Sequence, residues 1–312
     1  MNSPPDSAAR LFPLEILDAV PPTLRQVIDR AEAQLEAAGV YFGHGTDNAR
    51  DEAAFLVLRS LDLPFAVSEA DLDRPLDRAA CERVVSAIDA RINTRRPAAY
   101  ILGEAWFASL SFYVNENVVV PRSPLAELIL EKFRPWCRET QVGHILDIGT
   151  GCGCIAVACA LAFPEAVVDA VDISAGALAV AKRNVDHYRL DRQVSLIQSD
   201  LFQALDDRHY DLIIANPPYV SEEEMAGLPA EYRHEPVTGL SGGPDGLDVV
   251  KRILAEASGY LTGDGVLIIE VGSGQEALVS QYPRVPFLWL EFERGGEGVF
   301  LLSREDLVRS LD

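Results

Sequence analysis

From about residue 140 the chain alternates apolar runs with helical stretches, and few folds accommodate that rhythm. The runs are "HILDIG" (144–149), "VVDAVD" (167–172), "VSLIQS" (194–199), "DLIIAN" (211–216) and "VLIIEV" (266–271). Helical patterns lie between most of them, at Cys154–Phe163, Ala175–Tyr188 and Leu247–Tyr260. Strands joined by helices run parallel, and the helices cover both faces of the sheet. The last two runs, "FLWLEF" and "GVFLLS", are separated only by "ERGGE". That connector is too short for a helical crossover, so the pair is predicted to form an antiparallel hairpin at the sheet edge.

The first hundred residues read differently. In "TLRQVIDRAEAQLEAAG", Leu24, Val27, Ile28, Ala31, Leu35 and Ala38 recur at helical spacing, and Gly39 is a stop signal. A second helix is predicted from Asn48 to Leu61 and a third from Asp77 to Thr94, giving a small helical bundle. Next the period changes. Leu110, Phe112 and Val114 alternate with polar residues, "NEN" can turn, and "VVV" follows, which reads as a β-hairpin. Ser123 and Pro124 are an N-cap and a first helical position. The expected division is a helical domain over 1–100, a hairpin linker over 101–122 and an α/β domain over 123–312.

The chain of 312 residues carries 48 Asp and Glu against 27 Lys and Arg, a net charge of -21. Tracking a phosphate backbone needs clustered cations, so the charge argues against nucleic-acid binding as the main mode and suits a basic protein partner. Five cysteines at irregular spacing form no disulfide framework, which points to a reducing cytoplasm. Cys152 and Cys154 have no second pair and the histidines are scattered, so no metal site is expected. No stretch is long and apolar enough to span a membrane, and no signal pattern opens the chain. The oligomeric state stays open.

In open α/β sheets, ligands sit beyond the carboxyl ends of the strands. Three segments meet that description. "LDIGTGCGC" leads a strand into a glycine turn, with Gly149, Gly151 and Gly153 spaced Gly-x-Gly-x-Gly. Glycines let a backbone approach a ligand closely. Position 154 is Cys, so the dinucleotide fingerprint is incomplete, and no Lys-Ser/Thr pair marks a triphosphate loop. Asp172 ends the next strand, where a carboxylate can accept both hydroxyls of a ribose. Asp200, after the third, either accepts from an adenine amino group or caps the following turn. The third segment is Asn216-Pro217-Pro218-Tyr219, after the fourth strand. Each proline fixes its own φ and pushes the preceding residue into an extended conformation, so this loop is stiff before any ligand arrives. The Asn216 side-chain oxygen and the Pro217 carbonyl are two fixed acceptors, suited to one planar NH2 group, and Tyr219 can stack on that plane.

These three segments together resemble the class I S-adenosylmethionine-dependent methyltransferases that modify planar amino or amide nitrogens. "RRPAAYILGEAWFASLSFYVNENVVVPRSPLAELI" (95–129) and "HEPVTGLSGGPDGLDVVKRIL" (234–254) narrow the resemblance to the protein glutamine methyltransferases. Within that family "PRSPLAE" (121–127) and "EVGSG" (270–274) resemble the branch acting on the large-subunit ribosomal protein L-three, rather than the branch acting on peptide-chain release factors. The resemblance implies a Rossmann-like, mostly parallel seven-stranded sheet with an antiparallel edge hairpin. It also implies a small N-terminal helical domain that recognises the protein substrate.

By this resemblance S-adenosylmethionine lies across Gly149, Thr150, Gly151 and Gly153, with Asp172 on its ribose and Asp200 near its adenine. Asp147 meets the methionine ammonium or holds the glycine turn, Phe107 walls the pocket or packs in a core, and Arg122 orients the loop through a carboxylate or carbonyl without a catalytic part. Asn216 and Pro217 hold the glutamine amide for catalysis, with Pro218 and Tyr219 completing the substrate seat. Rival readings are a DNA amino-methyltransferase, which shares such a loop but needs a basic groove, and a non-catalytic module that keeps the fold.

Overall fold

The computed structural model describes residues 20–293 and 295–311. The three long helices of the N-terminal bundle each begin at a residue whose side chain satisfies one of the first free N–H groups. The Thr23 hydroxyl accepts from Gln26 N–H while the Gln26 side chain accepts from Thr23 N–H, opening the Leu24–Ala37 helix. Asn48 and Asp77 start the Ala49–Ser60 and Arg78–Thr94 helices with one such bond each. A cap of this kind contributes about 1 kcal/mol. Leu24, Ile28, Leu35, Leu56, Val84 and Ile88 then bury one stripe from each helix in a shared core.

Arg91, also in this core, is fully buried. Its guanidinium donates to Glu52 at 2.7 Å, to Glu231 at 3.3 Å and to the Tyr41 carbonyl at 2.7 Å. Burial pushes the Glu52 carboxyl up despite the opposing charge of Arg91. Glu231 comes from a distant segment, Pro229–His234, that clusters with the residues up to Glu104 as one compact unit. The second unit comprises Ala105–Leu228 and the chain from Glu235 onward.

In the second unit, strands β1 (Ala105–Phe107) and β2 (Leu110–Phe112) form an antiparallel hairpin. The expected hairpin around "NEN" is therefore misplaced: Leu110 and Phe112 lie on its second strand, and "VVV" is not a strand. The true turn is Ala108-Ser109, with φ of 48° and 63°. Two left-handed residues match the right-handed twist of a tight hairpin, yet neither is the Gly or Asn that normally signals it.

The main sheet has seven strands: β3 (His144–Ile148), β4 (Val167–Asp172), β5 (Val194–Gln198), β6 (Tyr210–Ala215), β7 (Leu261–Glu270), β8 (Leu288–Trp289) and β9 (Val299–Ser303). Their order is β5-β4-β3-β6-β7-β9-β8. The first five run parallel, and β9 lies antiparallel between β7 and β8. This is the expected class I methyltransferase arrangement with its edge hairpin. β8 is shorter than "FLWLEF" suggests, and β7 is longer than "VLIIEV". On β7 the register advances from Leu261 to Val266 while β6 advances only from Tyr210 to Leu212.

The central strands are buried on both faces: Ile145, Leu146, Ile148, Leu212, Ile213, Ile214, Leu267, Ile268 and Ile269 are all at most 1% exposed. Strand order reverses between β3 and β6, so their carboxyl ends form the crevice in which such sheets place ligands. Among the described residues, no helix is long and apolar enough to cross a membrane.

Candidate active site

The glycine turn hangs from the end of β3. Gly149, Gly151 and Gly153 have φ of 72°, 55° and 82°, a left-handed region that residues with a Cβ seldom enter. The N–H groups of Gly149 and Thr150 both donate to the Val171 carbonyl, at 2.9 and 3.0 Å. Beneath them Asp147 is fully buried. Its Oδ2 accepts from the Thr150 hydroxyl at 2.6 Å and from Ala156 N–H at 3.1 Å. Its Oδ1 has no hydrogen-bond partner. Thus one oxygen holds the turn and the other is buried without a partner. Burial pushes the Asp147 carboxyl up to about 7; the bonds from Thr150 and Ala156 oppose this and nearby Asp172 adds to it.

Asp172 closes β4 beside this turn. Its two oxygens accept from Gly151 N–H and Ser174 N–H, both at 2.9 Å, and burial pushes its carboxyl up. A carboxylate has about four acceptor positions, so two backbone bonds leave room for hydroxyl donors. Asp200 is held by an ion pair with Arg252 at 2.9 Å. Its side chain does not cap the following turn; the Ser199 hydroxyl does that, accepting from Ala204 N–H at 3.0 Å. Phe107 is buried at 4% exposure within the β1–β2 hairpin.

Asn216 follows β6, whose Ala215 pairs with Ile148 of β3. The Asn216 carbonyl faces Gly149, 3.9 Å from where a Cβ there would stand. The proline loop and the glycine turn are therefore neighbours at the rim. The strand-like segment Leu240–Gly242 backs the loop: Val220 N–H donates to the Leu240 carbonyl and Gly242 N–H to the Val220 carbonyl, both at 2.9 Å. Closeness is enforced by missing side chains. A Cβ on Gly246 would sit 2.3 Å from the Tyr219 carbonyl, and one on Gly272 only 2.5 Å from the Tyr219 ring. The Tyr219 hydroxyl donates to Glu270 Oε1 at 3.0 Å.

Three long-range pairings had no local signal in the sequence. Glu270, 4% exposed at the end of β7, also accepts from the Ser123 hydroxyl at 2.5 Å, and burial pushes its carboxyl up. Arg122 forks onto buried Glu235 with two bonds of 2.7 Å, and the Val120 N–H donates to the same carboxylate. Asn184, 2% exposed on the Ala175–His187 helix, donates to the carbonyls of Cys152 and Tyr113 and accepts from Tyr113 N–H. It pins the glycine turn to the chain leaving the hairpin. No partner for any of these pairings could be read beforehand. The sequence offered Arg122 as a residue that orients the loop through a carboxylate or carbonyl, and Ser123 as an N-cap. It also offered the resemblance carried by "PRSPLAE" and "EVGSG", the stretches that supply Ser123 and Glu270.

Comparison with known proteins agrees with this architecture. The family model described as Methyltransferase small domain matches residues 126–229, and that described as PrmC N-terminal domain matches residues 26–103. A ribosomal protein uL3 glutamine methyltransferase of Bordetella pertussis is 48% identical, covering 91% of this chain and 96% of its own. One from Neisseria gonorrhoeae is 44% identical, covering 92% and 96%. The chain belongs to the ribosomal protein uL3 glutamine methyltransferase family. A solved structure of the human Mettl16 catalytic domain with an RNA hairpin aligns at 18% identity over 72% of this chain and 80% of that one, with a TM-score of 0.47.

The chain is a methyltransferase, and the donor expected from its sequence is S-adenosylmethionine. The rim fits that group. Its glycine turn presents bare backbone, buried Asp147 offers an unpartnered oxygen to an ammonium, and Asp172 stands one strand away with room for ribose hydroxyls.

Proposed function

We propose that this methyltransferase transfers a methyl group from S-adenosylmethionine to the side-chain amide nitrogen of a glutamine in ribosomal protein uL3. The observation that carries the reading is the stiff Asn216-Pro217-Pro218-Tyr219 loop set directly beside the glycine turn, with the main-chain carbonyl of Asn216 next to Gly149. The names of the relatives support the substrate and do not favour a release factor or DNA. The net charge of -21 suits a basic ribosomal protein. Five free cysteines, four of them buried, suit a reducing compartment such as the cytoplasm.

In this reading Gly149, Thr150, Gly151 and Gly153 form the cofactor cradle. Asp147 Oδ1 meets the ammonium and Asp172 the ribose. Asp200, already engaged by Arg252, fits the adenine amino group less well. Phe107 serves by packing the hairpin. When bound, the donor supplies a methyl carbon made electrophilic by its sulfonium.

The chain must make an amide nitrogen act as a nucleophile, although its lone pair is delocalised into the carbonyl. The Asn216 side-chain oxygen and the Pro217 carbonyl accept the two N–H bonds of the glutamine amide and aim its nitrogen. Both acceptors also favour the positive charge that grows there, which is electrostatic stabilisation by groups already in place. Pro218 keeps the loop stiff, and the Tyr219 ring lies flat against the amide. Orientation of this kind contributes about 7–11 kcal/mol in well-aligned cases. No basic side chain is needed, because an N-methylated amide cation gives up its proton to water readily. Incubating the enzyme and labelled S-adenosylmethionine with purified uL3 and a release factor, side by side, tests the reading. Label is expected on uL3 alone and lost when its target glutamine is replaced; label only on the release factor overturns the choice of substrate.

A further inference from the structure

Tyr219 is held from a direction that the loop itself does not supply. Its hydroxyl donates to Glu270 Oε1 at 3.0 Å, and the Ser123 hydroxyl donates to Glu270 Oε2 at 2.5 Å. Ser123 in turn accepts from Leu125 N–H at 3.1 Å, at the start of the Leu125–Leu130 helix. Both Ser123 and Glu270 are buried, at 9% and 4% exposure. A carboxyl taken so far from water costs free energy unless its oxygens are bonded. Each oxygen of Glu270 has one hydroxyl donor, and nothing in the amide-holding chemistry uses the carboxyl. Gly272, two residues on, leaves the Tyr219 ring the space a side chain would otherwise fill: a Cβ there would stand 2.5 Å from the ring.

We propose that Glu270 and Ser123 are positioning residues for methyl transfer. The chain of bonds Ser123–Glu270–Tyr219 fixes the tyrosine ring against Gly272, and so sets the plane on which the substrate amide rests. This deepens the reading of the Asn216–Tyr219 loop as the amide seat and rests on it. Three places far apart in sequence are thereby tied together: the turn before the Leu125–Leu130 helix, the end of β7 and the loop after β6.

The test compares Ser123→Ala, Glu270→Gln and Glu270→Leu, each alone and combined with Tyr219→Phe. The assays are steady-state methylation of uL3 and calorimetric binding of S-adenosylmethionine. Glutamine keeps both contacts of Glu270, accepting from Tyr219 and donating to Ser123, so Glu270→Gln is expected to retain most of kcat. Ser123→Ala and Glu270→Leu are expected to lower kcat by about tenfold or more, since small misplacements of a reacting group have effects of that size. Donor affinity stays at the parent value, which also reports that the variants fold. In the Tyr219→Phe background the same changes are expected to have little further effect, because the bond they act through is gone. Equal losses with and without Tyr219→Phe overturn the proposal, and so does a Glu270→Gln enzyme as impaired as Glu270→Leu. A parent enzyme that fails to methylate uL3 overturns the reading of the site. A working parent whose variants all match it overturns the relay alone.

Discussion

Replacing Asn216 with alanine removes one of the two acceptors at the tip of β6 and leaves the glycine turn untouched. Turnover on uL3 is expected to fall by about a hundredfold or more, the scale of losing one preorganised group at a developing charge. Calorimetric affinity for S-adenosylmethionine is expected to stay within about twofold, since the loss acts on the transition state and not on donor binding. Retained turnover removes Asn216 from its role. Asp147 makes a different prediction. Its carboxyl sits at about 7 in the fold, against an ordinary value of about 3.9 when unfolded. The folded chain therefore holds this proton more tightly, so stability falls as pH rises from about 4 to about 7, by at most about 4 kcal/mol. Urea unfolding across that range checks it, and Asp147→Asn is expected to flatten the slope. If Oδ1 meets the donor's ammonium, binding drives the proton off near pH 6. Affinity then climbs towards pH 7, and calorimetry in two buffers of unlike ionisation enthalpy registers proton release. No release at that pH leaves Asp147 only its hold on the glycine turn.

At the scale of elements, the packing of Gly272 beneath Tyr219 gives the clearest lever. Gly272→Ala places a methyl 2.5 Å from a ring carbon at a φ of 48°. The ring must move, so kcat is expected to drop while donor affinity holds; unchanged kcat shows that the ring's position is not critical. The strands of the main sheet were legible because both-face burial writes itself as apolar runs, and the glycine turn and proline loop were legible because Gly and Pro are backbone signals. The β1–β2 hairpin was misplaced because Ala108 and Ser109 take left-handed conformations without the residues that announce them. Of the supports of the rim, a positioning role for Arg122 through a carboxylate or carbonyl was legible, but the partners were not. Ser123 meets Glu270, Arg122 meets Glu235 and Tyr113 meets Asn184 across separations of 71 to 147 residues. No local period or spacing encodes such a pairing.

For the molecule as a whole, charge and the long return of the chain matter most. With a net charge of -21, encounter with the proposed basic ribosomal protein is expected to be accelerated by attraction that salt screens. Raising ionic strength is expected to lower kcat/KM for uL3 several-fold while kcat holds; a salt-independent kcat/KM removes steering. In the helical unit, Arg91 binds Glu52 and Glu231, the latter arriving from residues 229–234. Arg91→Ala leaves buried Glu52 without its cation and Glu231 with only Arg95, 3.5 Å away, and is expected to cost about 3–5 kcal/mol of stability, read by denaturant unfolding.

The seats proposed for donor and acceptor hang from β3 and β6, which are bonded side by side through Ile148 and Ala215. Adjacent strands stand about 4.8 Å apart whatever side chains they carry, so the main chain itself gauges the gap a methyl group must cross. A lineage can redraw the outer surfaces that choose a target and leave that gap unaltered, for it is ruled by peptide groups that mutation does not touch.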